Sequence, residues 1–299
     1  MATFGKATFN FARYAAARPT YPRQLFDFVF KYHERARGAK WDLAVDLGCG
    51  TGQATVELTP FKRVMGVDPS AGMLEKARGY AAQAGVSGET QIEFVQSAAE
   101  DLPFLPDGST DLIIAAQAAH WFDWAKAWPE VARVLRKHGS AAFWGYSEFR
   151  LSNFPNLTPL ISDYVNGKDP EASLGPHWQQ PGRSILDSHL LHVPRATDIL
   201  PDKFTDWEHV FFTGTHYPDL PEAQTQPVIL RKRMTWDDLH AYFRTFSSLH
   251  TFLERNSHER DRADGDIADR FLAQLKRETG EPEHIDIEWP MAIMMVRRT

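Results

Sequence analysis

The segment Val45-Asp46-Leu47-Gly48-Cys49-Gly50-Thr51-Gly52 constrains the fold of this chain more than any other stretch. An apolar run ends in three closely spaced glycines. Glycine adopts left-handed backbone without steric cost, so the chain here turns sharply from a strand into a helix. With no Cβ in the way a ligand can approach the backbone, and the unpaired N–H groups opening the next helix favour its polar or anionic groups. A dinucleotide fingerprint would need Gly or Ala three residues beyond Gly50, where this chain has Gln53. A phosphate-binding P-loop would need Gly-Lys-Ser/Thr, which is absent. On its own the loop is also compatible with a glycine turn that binds nothing.

The surrounding pattern adds context. Short apolar runs at Leu43 to Leu47, Arg63 to Val67, Ile92 to Gln96, Asp111 to Ala115 and Ala141 to Tyr146 alternate with helix-like stretches, the signature of a parallel sheet with crossover helices. Ser70 is placed to cap a helix reaching about Ala84, with Gly85 as its left-handed stop. Pro22 is expected as the first residue of a leading helix. Beyond Tyr146 the pattern is irregular to about Pro201, and Trp207 to Phe212 then reads as a strand, so a lid inserted before the sixth strand is expected. Trp236, Leu239, Tyr242, Phe243, Phe246, Leu249, Phe252 and Leu253 recur at helical steps and predict one amphipathic helix, its aromatic stripe core rather than ligand site. Ile285 to Val296 reads as one final strand, with Pro290 arguing for an edge or a bulge.

Composition narrows the functional classes. At 299 residues the chain can bury a large α/β core with an elaboration, and 12% aromatics with nine tryptophans suit an apolar pocket as well as that core. A formal charge of −6 with interspersed signs offers no basic stripe for a phosphate backbone, so a small molecule is expected as partner and nucleic acid is not. The single cysteine, Cys49, excludes an intrachain disulfide framework and fits a reducing compartment, the cytoplasm. No signal-like start and no run of membrane-spanning length is seen, so no membrane association is expected. The sequence leaves the oligomeric state open.

Twenty residues after Gly48, the second strand ends at Asp68, whose carboxylate could accept both hydroxyls of a ribose or merely be solvated at a strand end. After the third strand, Ser97-Ala98-Ala99-Glu100-Asp101-Leu102-Pro103-Phe104 could meet an adenine edge, although Glu100 or Asp101 could equally cap a helix. Gln117-Ala118-Ala119-His120-Trp121-Phe122-Asp123 follows the fourth strand at the carboxyl end of the sheet, where open α/β sheets place ligands. Trp121 is read there as pocket wall and His120 as either a substrate contact or a packed histidine; Trp124 and Trp128 are read as core, with Pro129 expected to kink or restart their helix.

In this order the motifs, with Asp111-Leu112-Ile113 and Arg133-Val134-Leu135-Arg136-Lys137-His138-Gly139, resemble class I S-adenosylmethionine-dependent methyltransferases over Leu43 to Tyr146. Tyr14 with Arg18-Pro19-Thr20-Tyr21-Pro22, His120-Trp121-Phe122-Asp123, Trp178-Gln179-Gln180-Pro181-Gly182-Arg183 and Trp289-Pro290 look more narrowly like the trans-aconitate methyltransferase-like group. The resemblance implies a Rossmann-like sheet, mostly parallel with an antiparallel final strand, plus a helical lid. It implies a cofactor-closing segment and leading helix at 1–40, a cofactor-binding core at 41–150, a lid at 151–205 and the rest of the sheet with helices at 206–299. S-adenosyl-L-methionine is the implied cofactor, surrounded by Asp46, Gly48, Gly50, Gly52, Asp68, Met73, Ala99, Glu100 and Gln117 and closed over by Tyr14, Arg18 and Tyr21.

The expected reaction is O-methylation of a small carboxylic acid, with His120, Trp121 and Arg183 at the acceptor and Arg150, Arg195 and Arg244 as lesser candidates for its charge. No metal-ligand cluster is read and no metal is expected. N-, C- or hydroxyl O-methylation of a natural product, in which His120 would be the base, and a non-catalytic cofactor-binding regulator are the alternatives.

Overall fold

The computed structural model describes residues 17–85 and 90–299, so Tyr14 lies outside the described residues. They form two compact units that interleave along the sequence. The larger comprises Thr20–Tyr146, Ser184–Ile229 and Met291–Thr299; the other draws on the described part of Met1–Pro19 with Ser147–Arg183 and Leu230–Pro290. The segment 151–205, expected as one insertion, therefore divides between the two units at Arg183 and Ser184.

The larger unit is built on an eight-stranded sheet. Its strands are β1 (Leu43–Leu47), β2 (Arg63–Asp68), β3 (Gln91–Gln96), β4 (Thr110–Ala116), β5 (Leu135–Tyr146), β7 (Phe204–Phe212), β8 (Thr225–Gln226) and β11 (Met291–Arg298). Their order is β3-β2-β1-β4-β5-β11-β7-β8. β1 to β5 pair in parallel, and β11 runs antiparallel to both β5 and β7. The final strand is thus the reversed one. β1 is buried along its whole length, as a strand covered on both faces must be.

Side chains lock these strands at both ends. The buried Asp111 carboxylate accepts from the Asp42 and Leu43 amides at 2.9 Å each and pairs with Arg136 Nε at 2.8 Å, holding the start of β1 against β4. β5 begins six residues earlier than the sequence predicts, at Leu135, because His138 takes a left-handed φ of 67° where the β4–β5 register shifts. Helix α1 (Arg23–Glu34) starts one residue after Pro22, which acts as its N-cap, and buries Leu25, Phe26, Val29, Phe30, Tyr32 and His33. At its C-terminus Arg297 of β11 donates to the Tyr32 carbonyl at 2.8 Å and pairs with Asp206 at 3.1 Å. A cation thus satisfies a carbonyl that the helix leaves open.

Helix α2 (Ala71–Ala84) has Ser70 as its cap, the hydroxyl accepting from Met73 N at 3.3 Å, and Gly85 stops it at φ 56°. Helix α3 (Trp124–Val134) runs through Pro129 without restarting, and Trp124 and Trp128 are buried in the core beneath the sheet. Helices α5 (Gly182–Asp187) and α6 (Ala196–Ile199) complete the described helices of the two inserted segments together with α4 (Thr158–Asn166).

The second unit contains a three-stranded antiparallel sheet, β6 (Arg150–Leu151), β10 (Ile285–Trp289) and β9 (Leu230–Met234), in that order. Two sequence expectations are corrected here. The final strand predicted from Ile285 to Val296 is two strands belonging to two sheets, β10 and β11, divided at Pro290. A residue without a backbone N–H cannot continue a ladder. The single amphipathic helix predicted from Trp236 is also two, α7 (Trp236–Phe243) and α8 (Ser247–Arg255). The Thr245 hydroxyl donates to the Tyr242 carbonyl at 2.6 Å, and Phe246 is extended at φ −73°, ψ 123°, so the ladder breaks while the apolar spacing continues across it. Helix α9 (Ile267–Thr279) follows, with a capping box from Asp266 and Asp269.

Candidate cofactor and acceptor site

In the larger unit the glycine loop leaves β1 with Gly48, Gly50 and Gly52 at φ 67°, 54° and 83°. The sequence assigned all three to close approach of a ligand, and their surroundings differ. A Cβ on Gly48 would lie 2.4 Å from Ala118 Cβ, and one on Gly52 would lie 3.3 Å from Ala77 Cβ of α2. Those two glycines pack the loop against the chain after β4 and against α2. Of the three, Gly50 has no atom of the described residues within 4 Å of where a Cβ would stand, and so opens the loop to a ligand.

Asp68 shapes this loop. Its Oδ2 accepts from Gly50 N at 2.9 Å and its Oδ1 from Ser70 N at 2.8 Å, so one carboxylate ties the loop to the start of α2. Each oxygen retains a second lone pair for a ligand hydroxyl. Burial raises the pKa of Asp68, while the Ser70 and Gly50 N–H groups oppose that shift. Asp46 is wholly buried at the end of β1, with Thr55 Oγ1 donating to its Oδ2 at 2.7 Å. Burial pushes its pKa up to about 7, the Thr55 hydrogen bond opposing and the charge of Asp68 adding to the shift. Its buried Oδ1 has no hydrogen-bond partner among the described residues. Thr55 was missed in the sequence because nothing in its local pattern reveals that the turn folds back onto Asp46.

The turn after β3 is held by charge. Glu130 accepts from Leu102 N at 2.8 Å and pairs with Arg133, which also donates to the Leu105 carbonyl at 2.8 Å and the Leu102 carbonyl at 2.9 Å. Glu100 accepts from Asp123 N at 2.7 Å. Its carboxylate thereby tethers Asp123, and it is Asp123 rather than Glu100 or Asp101 that caps α3. Ala99 packs in the core and Met73 is buried in the first turn of α2.

Gln117 has a left-handed φ of 56°, and its side chain acts as a piece of strand. Its Nε2 donates to Tyr146 O at 3.1 Å while its Oε1 accepts from Tyr146 N at 2.7 Å. The amide is spent fixing the end of β4 to β5, ahead of the segment carrying His120 and Trp121. There His120 is buried with its ring 4.6 Å from that of Trp121, whereas Trp121 is 39% exposed, a large apolar surface facing outward. Tyr21 meets Trp144 edge-on at 5.6 Å.

In the second unit Arg183 lies with its guanidinium 4.5 Å over the Trp178 ring, and the Trp178 indole donates to the Val165 carbonyl at 2.8 Å. Trp178 packs against Phe246 at 5.5 Å, and Phe246 against Tyr242 at 4.9 Å. Arg18 lies 5.3 Å over Tyr242 and 5.8 Å over Phe246. A row of three aromatic rings thus carries two arginines within cation–π distance. The lesser candidates fare differently: Arg244 is engaged by Asp266, Asp269 and His240 and is structural, Arg195 is exposed at the start of α6, and Arg150 is buried in β6. Among the described residues no three His, Cys, Asp or Glu side chains gather as a metal-binding group, and no helix is long and apolar enough to cross a membrane.

Sheet order, glycine loop and strand-end acid together define a nucleoside-binding α/β enzyme of the methyltransferase type. The family model described as "Methyltransferase domain" matches residues 45–143. The chain is 30% identical to the Saccharomyces cerevisiae protein CRG1, named for S-adenosylmethionine-dependent methyltransferase activity, over 90% of this chain and 87% of that one. It is 28% identical to a protein of Dictyostelium discoideum named as a methyltransferase, over 95% and 92% of the two chains. A solved structure from Anaeromyxobacter dehalogenans, named as a type II methyltransferase, superposes with a TM-score of 0.65 at 26% identity, covering 94% of this chain and 97% of that one. The chain belongs to the class I S-adenosylmethionine-dependent methyltransferases. Its cofactor is S-adenosyl-L-methionine. The residues present fit it, since Gly50 leaves open space at the loop and the unpartnered Asp46 oxygen lies buried beneath.

Proposed function

We propose that the enzyme methylates a carboxylate oxygen of a small organic acid, as the trans-aconitate methyltransferase-like group does. The observation that carries this reading is the aromatic-backed guanidinium of Arg183, 4.5 Å over Trp178. Such a cation matches a planar carboxylate with two parallel hydrogen bonds. When bound, the cofactor supplies an electrophilic methyl on a sulfonium that leaves as a neutral thioether.

The chain's own work is to bind, orient and dehydrate. Gly50, Asp68, Met73 and Ala99 line the cofactor's side in this reading, with Gly48, Gly52, Glu100 and Gln117 holding those segments in shape and Tyr21 closing over it. Trp121 offers an apolar wall and His120 a hydrogen bond. A carboxylate with its ordinary pKa near 4 is already ionised at neutral pH, so no residue has to remove a proton and positioning is the main catalytic task. The compartment that fits a lone buried thiol, Cys49, is the cytoplasm.

The test is incubation with isotopically labelled S-adenosylmethionine and a panel of mono-, di- and tricarboxylic acids, phenols and amines, followed by mass spectrometry. Base-labile methyl esters formed from acids alone support the reading. Turnover confined to phenols or amines overturns it.

A further inference from the structure

We propose that Asp46 carries a proton in the free enzyme, as one member of a carboxyl pair with Asp68, and that binding of the cationic cofactor expels this proton to solvent. The two acids stand on adjacent parallel strands, Asp46 opposite Gly66 and Asp68 two residues further along β2. Their hydrogen-bond supply is unequal. Asp68 receives two backbone N–H groups, each stabilising its charge. Asp46 receives one hydroxyl, from Thr55, and among the described residues its other, buried oxygen has no partner.

Among the described residues, three groups act on Asp46. From β2 comes the carboxylate of Asp68, from the turn Thr55–Glu57 the Thr55 hydroxyl, and from the glycine loop the buried thiol of Cys49, itself held protonated by burial. None is a cation. A neutral acid there leaves one polar atom unsatisfied, whereas an ionised one leaves a buried charge beside a second carboxylate, which costs far more. Of the two acids it is therefore Asp46 that holds a proton, and burial places its release near pH 7. Bound S-adenosylmethionine supplies the missing positive charge, in its ammonium and sulfonium groups. The Asp46 O–H bond then breaks, its electron pair stays on the carboxylate, and the proton passes to buffer.

The experiment is calorimetric titration of the whole enzyme with S-adenosylmethionine at pH 7 in buffers of different ionisation enthalpy. The heat should vary with buffer to give release of about half a proton per cofactor, since a group titrating near 7 is half protonated there. Asp46→Asn should bind with that release abolished, which separates it from any exchange by the cofactor's own amine. Thr55→Val removes the bond that favours the charged form and should move the release to higher pH. A cofactor-free measurement guards against loss of binding. The folded pKa of Asp46 is raised above its unfolded value, so wild-type stability falls as pH rises from about 4 to 7 and Asp46→Asn should flatten that slope. Buffer-independent heats in the wild type, equal release in Asp46→Asn, or identical stability slopes would each overturn the proposal.

Discussion

The stretch from β1 to β5 and the second compact unit solve the same problem, holding ligand groups still, in opposite ways. In the first, each functional segment is the loop that directly follows a strand, and its restraints come from short reaches: Gly50 to Asp68, Glu100 to Asp123, Gln117 to Tyr146. In the second, Arg18, Trp178, Arg183, Tyr242 and Phe246 come from three sequence segments and meet through ring packing. Backbone hydrogen bonds in the first unit specify atoms. Aromatic faces in the second specify a plane and a charge, which leaves such a surface free to change its ligand without changing its fold.

The comparison breaks most readily at the glycines. Gly48→Ala should destabilise the protein by about 2 to 4 kcal/mol, because a left-handed backbone and a 2.4 Å approach to Ala118 penalise any side chain. Thermal unfolding checks this. Gly50→Val should cost less stability yet weaken S-adenosylmethionine binding about a hundredfold, since its side chain would fill the only open face of the three. If both variants moved melting temperature and affinity in proportion, the division of labour among the glycines would be wrong. Asp68→Ala should follow at about 2 to 3 kcal/mol of cofactor affinity by titration, and because it also releases the Gly50 and Ser70 amides, hydrogen exchange of the loop should quicken. Unchanged exchange would mean that the loop stands without its tether.

The same contrast explains what the sequence discloses. β1 to β4 are legible to within one residue at either end, because apolar runs flanked by turn residues are local signals. The three glycines are legible as a loop but not as two different jobs, since the packing of Gly48 and Gly52 depends on Ala118 and Ala77, far along the chain. Glu100 and Gln117 look like ligand contacts from their position after strands, and only the folded chain reveals that their side chains hold neighbouring backbone. In the second unit the break between α7 and α8 is invisible because the aromatic spacing stays in phase across Thr245. Pro290 marks an interruption, yet not that β10 and β11 belong to different sheets. Interleaving of the units is a long-range fact that no window of sequence carries.

Two smaller effects sharpen the comparison on the acceptor's side. Arg183→Met should raise KM for the acceptor about tenfold and leave cofactor affinity alone, the charge being lost while bulk over Trp178 is kept. Steady-state kinetics with both substrates varied would expose an error if the cofactor's KM moved instead.

The smallest expected effect concerns pH and His120. If the acceptor is a carboxylate, its nucleophile is ionised throughout the neutral range and arginine stays charged, so kcat at saturating cofactor should be flat from about pH 6 to 9. His120→Gln keeps a hydrogen-bonding side chain without a proton to shuttle at these pH values, and should keep most of that turnover. The pH dependence that survives belongs to the cofactor's side: kcat/KM for S-adenosylmethionine should climb as pH rises towards about 7, where Asp46 gives up its proton, and level off above. The two halves of the enzyme would then separate in one set of profiles, kcat reporting the acceptor and kcat/KM the glycine loop. A kcat that rises through a pKa near 7 in the wild type and collapses in His120→Gln would reverse the assignment, making His120 a general base and the acceptor a hydroxyl or an amine.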